Sequence, residues 1–219
     1  MNSPIDKKII RFIHIPKTAG VSILNATKKS IDSLGKNAGK WNLRGGANSY
    51  HSRASERSAN RGEGPTLAYL QMLESKGCKV SYKTEQVKEF KFSFVRNPWD
   101  RFVSAYVYLS EKQNDEYQEY IKPFKSFKEF VINGSIEGLH FKTQSYWLDT
   151  DLDFIGRFEN LQLDFNNLLD RLLLPSQLLD HKNRTEHKPY HEYYEQQTID
   201  CVGQKYKEDI KWFGYKFKH

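Results

Sequence analysis

Cysteine is scarce in this chain: only Cys78 and Cys201 occur in 219 residues. Two isolated thiols make neither a metal-ligand pattern nor a disulfide framework, so free cysteines in a reducing compartment are expected. Long apolar runs are missing as well. None approaches the ~20 residues that a membrane-spanning helix needs, and the opening MNSPIDKKIIRF has no apolar stretch of the kind found in secretory signals. A cytoplasmic protein without a membrane span is the expectation. Also missing is a GxxxxGK[ST] nucleotide loop, because GKNAGK at 35–40 has the wrong spacing and follows no strand pattern. His187 and His191 stand four apart around Pro189 with no third ligand nearby, which gives no basis for a metal site.

The hydrophobic fraction of 38%, including 14% aromatic residues, is enough for a real core and argues against a disordered chain. The length fits one domain spanning 1–219. Lys and Arg number 34 against 27 Asp and Glu, a formal charge of +7. Such an excess favours anionic partners (nucleotides, acidic glycans, nucleic acid or a membrane surface) without choosing among them.

The stretch 12–23 reads FIHIPKTAGVSI. Phe12, Ile13, His14 and Ile15 suit a strand that ends at Pro16, which has no N–H for a sheet ladder. Lys17, Thr18, Ala19 and Gly20 form a tight loop. A helical pattern follows, with Ile23, Leu24, Thr27, Ile31 and Leu34 on one face and Gly35 at its close. Small residues let backbone N–H groups approach an anion, the helix start adds partial positive charge, and Lys17 adds a full one. A phosphate or sulfate fits such a loop.

A second block, 90–110, reads FKFSFVRNPWDRFVSAYVYLS. Phe92, Phe94 and Val95 suit a buried parallel strand. Asn97 as N-cap, Pro98 at the first helical position and Asp100 at the third then signal a helix start. Trp99, Phe102, Val103, Tyr106 and Val107 define its apolar face. Ser104 lies off that stripe, close in angle to Asn97, so Arg96 at the strand end and Ser104 two turns into the helix can converge on one ligand. A guanidinium fork with a hydroxyl suits a terminal phosphate.

IPKTAG with the following Ser22 resembles the 5′-phosphosulfate loop of sulfotransferases, in the branch of carbohydrate sulfotransferases and their bacterial relatives. Arg96 with Ser104 eight residues later resembles the 3′-phosphate motif of the same enzymes. One departure is Val21, where the family usually has a hydroxyl residue. The resemblance covers about 12–217, including KTQSYWL at 142–148 and DFIGRFEN at 153–160. It implies an α/β, P-loop NTPase-like three-layer fold with a central parallel sheet flanked by helices. It also implies transfer of a sulfuryl group from 3′-phosphoadenosine 5′-phosphosulfate to an acceptor hydroxyl, with a carbohydrate as the expected acceptor, adenosine 3′,5′-bisphosphate as product and no metal. By the same resemblance Lys17, Thr18, Ala19, Gly20, Val21, Ser22, Arg96 and Ser104 hold the nucleotide. Arg184, in the basic loop NRTEHKPY at 183–190, closes over it together with Lys188. His51 is the expected base, with Glu56 as second choice, since related enzymes carry a histidine in this interval. No nucleic-acid partner is expected.

Elsewhere, 36–65 reads as a long polar loop, 66–76 as a short helix and 78–83 as a short strand. Ser126 to Asn133 suits a capped helix, and Leu161, Phe165, Leu168, Leu169 and Leu172 mark a helix stopped by Pro175. Ile199, Val202, Tyr206, Ile210 and Phe213 mark one last amphipathic helix, weakened at Gly203. Two other functions share these features: a P-loop nucleotide kinase, which needs an acidic Mg²⁺ ligand after a strand, and a non-catalytic basic module for acidic glycans or nucleic acid.

Overall fold

Alternation along the first strand decides the layering. In β1 (Lys8–Ile13), Ile10 and Phe12 point to one face and Ile13 to the other. The computed structural model describes residues 8–45, 89–111, 121–134, 138–148, 151–180 and 187–218. Within them β1 is followed by α1 (Gly20–Asp32), β2 (Trp41–Arg44), β3 (Glu89–Val95), α2 (Pro98–Glu111), α3 (Phe127–Asn133) and the four-residue helix α4 (Gln144–Trp147). Then come β4 (Phe154–Arg157), α5 (Leu161–Leu172), α6 (Gln196–Lys205) and α7 (Lys207–Phe213). The strands form a four-stranded parallel sheet in the order β2-β1-β3-β4, so the expected α/β architecture with a central parallel sheet and flanking helices holds.

One face of the sheet packs Ile10, Phe12, Phe92 and Phe94 against Ile23, Ala26 and Ile31 of α1 and the predicted leucine stripe of α5. Fully burying each such side chain is worth about 1.5–3 kcal/mol. On the other face Ile13, Ile15 and Val95 meet Trp147, Leu148 and Tyr215. A third cluster joins α2 to Phe127, Phe130 and Val131 of α3 and to Val202 and Tyr206. The Ser126 cap is as expected, its hydroxyl accepting the Glu129 N–H at 3.2 Å.

Two expectations need correction. The start of the supposed 36–65 loop is ordered: residues Gly35–Lys40 form a 3₁₀ helix, and Trp41–Arg44 pair with β1 as an edge strand. Trp41 and Leu43 are half-buried against the core, two anchors in a segment otherwise rich in Gly, Asn and Arg. The last helix is two helices that break at Tyr206, with φ −104° and ψ 23°. Gly203 is not the break. It lies under Trp99, whose ring would stand 3.3 Å from an added Cβ. The expected helix at 66–76, the strand at 78–83 and Cys78 lie outside the described residues, as does 46–65. Among the described residues no helix is long and apolar enough to cross a membrane.

The strand order positions the site. The chain leaves β1 for β2 on one side and later returns to β3 on the other, so β1 and β3 are hydrogen-bonded neighbours where the order reverses. Ligands of open α/β sheets occupy the crevice beyond the strand ends at such a reversal. Both motifs follow these two strands. Ser93 Oγ adds a bond to Ile13 O at 2.7 Å just before the strands end.

Candidate active site

Between β1 and α1, Lys17 (φ 68°) and Ala19 (φ 62°) take left-handed backbone angles that residues with a Cβ avoid. Each costs roughly 1–2 kcal/mol, so the loop must be held from outside. Its carbonyls are what is held. Thr18 Oγ1 donates to Ile15 O at 2.9 Å, Arg101 Nη1 donates to Pro16 O at 3.5 Å, and Arg96 Nη1 donates to Lys17 O at 3.1 Å. Ala19 caps α1 without a side-chain hydrogen bond, where Ser, Thr, Asp or Asn is usual. The N–H groups of the first turn, Gly20 to Ser22, have no acceptor within the helix, and no acidic side chain stands in that turn. With the carbonyls taken up by arginines and a hydroxyl, the N–H groups line a positive concavity suited to an anion.

Gly20 is required by closeness. A Cβ there would overlap the buried His14 ring, which stacks on Phe12. Gly20→Ala is therefore expected to destabilise the fold by about 1–3 kcal/mol, the usual range for overpacking, although Ala is the better helix former. A thermal melt checks it.

The second motif is laid along α2. Asn97 caps this helix as expected, its Oδ1 accepting the Trp99 N–H at 3.1 Å. Arg96 is 6% exposed. Its Nε and Nη2 donate to Asp100 at 2.8 and 2.9 Å, and its guanidinium stacks 3.9 Å over the Phe158 ring. Three of the five N–H donors of Arg96 thus have protein partners, leaving two for a ligand. Asp100, Ser104 and Tyr108 follow at i, i+4 and i+8, so they form one row on the helix surface. Arg96 is bound to the first of them, and the Lys17 ammonium lies 3.8 Å over the ring of the last. Ser104, in the middle of that row, is buried. The hydrogen bond from Arg96 to Lys17 O brings the two motifs together where β1 and β3 end; Thr18, Ala19, Gly20, Val21 and Ser22 follow Lys17 into α1, and Ser104 lies on α2.

His51, Glu56 and Arg184 lie outside the described residues, and Lys188 is exposed on the surface. The residues not anticipated are the supports. Asp100 was read only as a helix-start carboxylate, yet it grips Arg96. Arg101, 1% exposed, ties the loop to the segment before α4 by donating to His140 O at 3.0 Å and to Lys142 O. It also stacks 5.4 Å from Tyr206, whose hydroxyl burial pushes well above the ordinary tyrosine value, so that it stays a neutral donor to Phe141 O at 2.7 Å. The i, i+4 relation of Arg96 to Asp100 and of Ser104 to Tyr108 was the signal available. Among the described residues no group of three metal-type ligands comes together. A groove of about 200 Å³ at the other end of the sheet, lined by Lys8, Trp41 and Arg171, contains neither motif.

A parallel sheet whose strand order reverses between two loops joined by a hydrogen bond is the framework of an α/β protein with its candidate site at the strand ends. The chain belongs to the sulfotransferase family, family 2, whose family model matches residues 5–216. It is thus a member of a family of enzymes that transfer a sulfuryl group to a hydroxyl-bearing acceptor. It is also similar to an uncharacterized protein of Archaeoglobus fulgidus, at 36% identity over 92 residues, which is 40% of this chain and 70% of that protein.

Proposed function

We propose that this sulfotransferase takes its sulfuryl group from 3′-phosphoadenosine 5′-phosphosulfate and passes it to a carbohydrate hydroxyl, leaving adenosine 3′,5′-bisphosphate. The observation that carries this reading is the 3.1 Å hydrogen bond from Arg96 to Lys17 O, which joins the two anion sites at neighbouring strand ends. The residues present fit the nucleotide: uncapped N–H groups at the start of α1 for one phosphate, and for the other two uncommitted donors of Arg96 with the Ser104 hydroxyl of the following helix.

When bound, the nucleotide supplies a sulfuryl group activated by its phosphate leaving group. Lys17 and the N–H groups of residues 18–22 hold the negative charge that gathers on that phosphate. Arg96 and Ser104 bind the 3′-phosphate and fix the register of the nucleotide, and Arg184 closes over it. His51 takes the proton of the acceptor hydroxyl. The net charge of +7 supports an anionic sugar as acceptor.

The test is transfer of label from the ³⁵S-labelled donor to a panel of neutral and anionic saccharides. Transfer dependent on the donor and on a saccharide is expected, and its absence across the panel contradicts the acceptor class. His51→Ala should lower turnover by ~10²–10⁴, the range for loss of a general base, with affinity for adenosine 3′,5′-bisphosphate unchanged. Unchanged turnover would remove His51 from the reaction.

A further inference from the structure

The stretch that carries Arg96 leaves β3 and enters α2, so its peptide groups belong to neither ladder. They are nevertheless both paired. Gln144 Oε1 accepts the Arg96 N–H at 2.8 Å, and Gln144 Nε2 donates to Arg96 O at 2.9 Å. The side-chain amide thus continues the strand pairing for one residue beyond β3, from a position 48 residues away in the chain. Gln144 is 0% exposed, and it is held in turn. Asp209 of α7, also 0% exposed, accepts the N–H groups of Gln144 and Ser145 at 2.7 and 2.8 Å. Thr143 caps the same short helix by accepting the Tyr146 N–H at 3.1 Å. Every link of this chain, from Asp209 through Gln144 to Arg96, is out of water, where a lost partner leaves a polar group unsatisfied.

We infer that Gln144 is a positioning residue for recognition of the 3′-phosphate: it fixes the backbone of Arg96, and through it the direction of the guanidinium, while Asp209 fixes Gln144. The inference rests on the donor proposed above. Its chemistry is specific. The side-chain amide offers a donor and an acceptor side by side, which neither an ionised carboxylate nor an apolar side chain does. The C-terminal helix α7 thereby takes part in nucleotide selection without touching the nucleotide.

The experiment compares calorimetric affinity for adenosine 3′,5′-bisphosphate and for adenosine 5′-monophosphate in the wild type, Gln144→Ala and Gln144→Met. The second variant keeps the volume filled and loses both the donor and the carbonyl acceptor, so it decides the matter if Gln144→Ala does not fold. The wild type should prefer the bisphosphate. In the variants the bisphosphate should weaken about tenfold, equivalent to ~1.4 kcal/mol, while the monophosphate stays within about twofold. A variant that folds and keeps the full preference, or that loses both ligands equally, overturns the positioning role and leaves the donor assignment standing. A wild type without any preference for the bisphosphate overturns the donor assignment, and the positioning role with it.

Discussion

Replacing Lys17 with alanine should reduce sulfuryl transfer by about 10²–10³, the usual loss when one preorganised charge at a reacting centre is removed. The substitution is well posed because Lys17 already holds a left-handed backbone at φ 68°. Alanine meets the same strain there, and the hydrogen bond from Arg96 is to the backbone carbonyl, which remains. Among the contacts that disappear is the ammonium over the Tyr108 ring, both residues half-buried, a cation–π contact worth about 0.5–2 kcal/mol. Stability should therefore fall far less than turnover, and so should the affinity for adenosine 3′,5′-bisphosphate. Steady-state kinetics beside a thermal melt separate these effects. Near-normal turnover would take Lys17 out of the mechanism.

Arg96→Ala should act on binding and on selectivity. Arg96 is the one residue described here that touches the Lys17 loop, pairs with Asp100 and stacks on Phe158 at once. Hydrogen bonds to charged groups are worth about 1.5–3 kcal/mol, so the preference for adenosine 3′,5′-bisphosphate over adenosine 5′-monophosphate should fall by ~10–10². The loss of the loop contact and the unpaired Asp100 should also lower the melting temperature. Arg96→Lys is informative beside it: a point charge lacks the fork, and part of the selectivity should stay lost. If the alanine variant discriminates between the two nucleotides as the wild type does, the 3′-phosphate lies elsewhere.

What the sequence revealed of this fold was local in its signals. FIHIPKTAG announces a strand, a loop and a helix start in consecutive residues, and NPWD announces the next helix through an Asn cap and a first-turn proline. Both are read from neighbours in the chain, and both stand where expected. The leucine stripe of α5 is of the same kind. The edge strand β2 is not. Four residues with two half-buried side chains carry little pattern of their own, and only pairing with β1 makes them a strand. The supports of the site were hidden for a related reason. Asp100 has two destinations open to it, the helix start or Arg96, and the backbone turn after β3 chooses the second. Gln144 is one polar residue beside Lys142, Thr143 and Ser145 until the fold brings it beside residue 96. Pro16, Lys17 and Ala19 gave the loop, yet nothing in their identity showed that two arginines on α2 and at its threshold would hold its carbonyls.

The central claim, that the turns after β1 and β3 grip one nucleotide between them, is tested most directly by a thermal-shift titration. The protein is melted with adenosine 3′,5′-bisphosphate and, in parallel, with the 5′- and 3′-monophosphates of adenosine. A ligand that binds only the folded state raises the melting temperature steadily with its concentration. The account predicts a rise with the bisphosphate at concentrations where each monophosphate alone gives a small fraction of it. No rise with the bisphosphate, or an equal rise with either monophosphate, would contradict it.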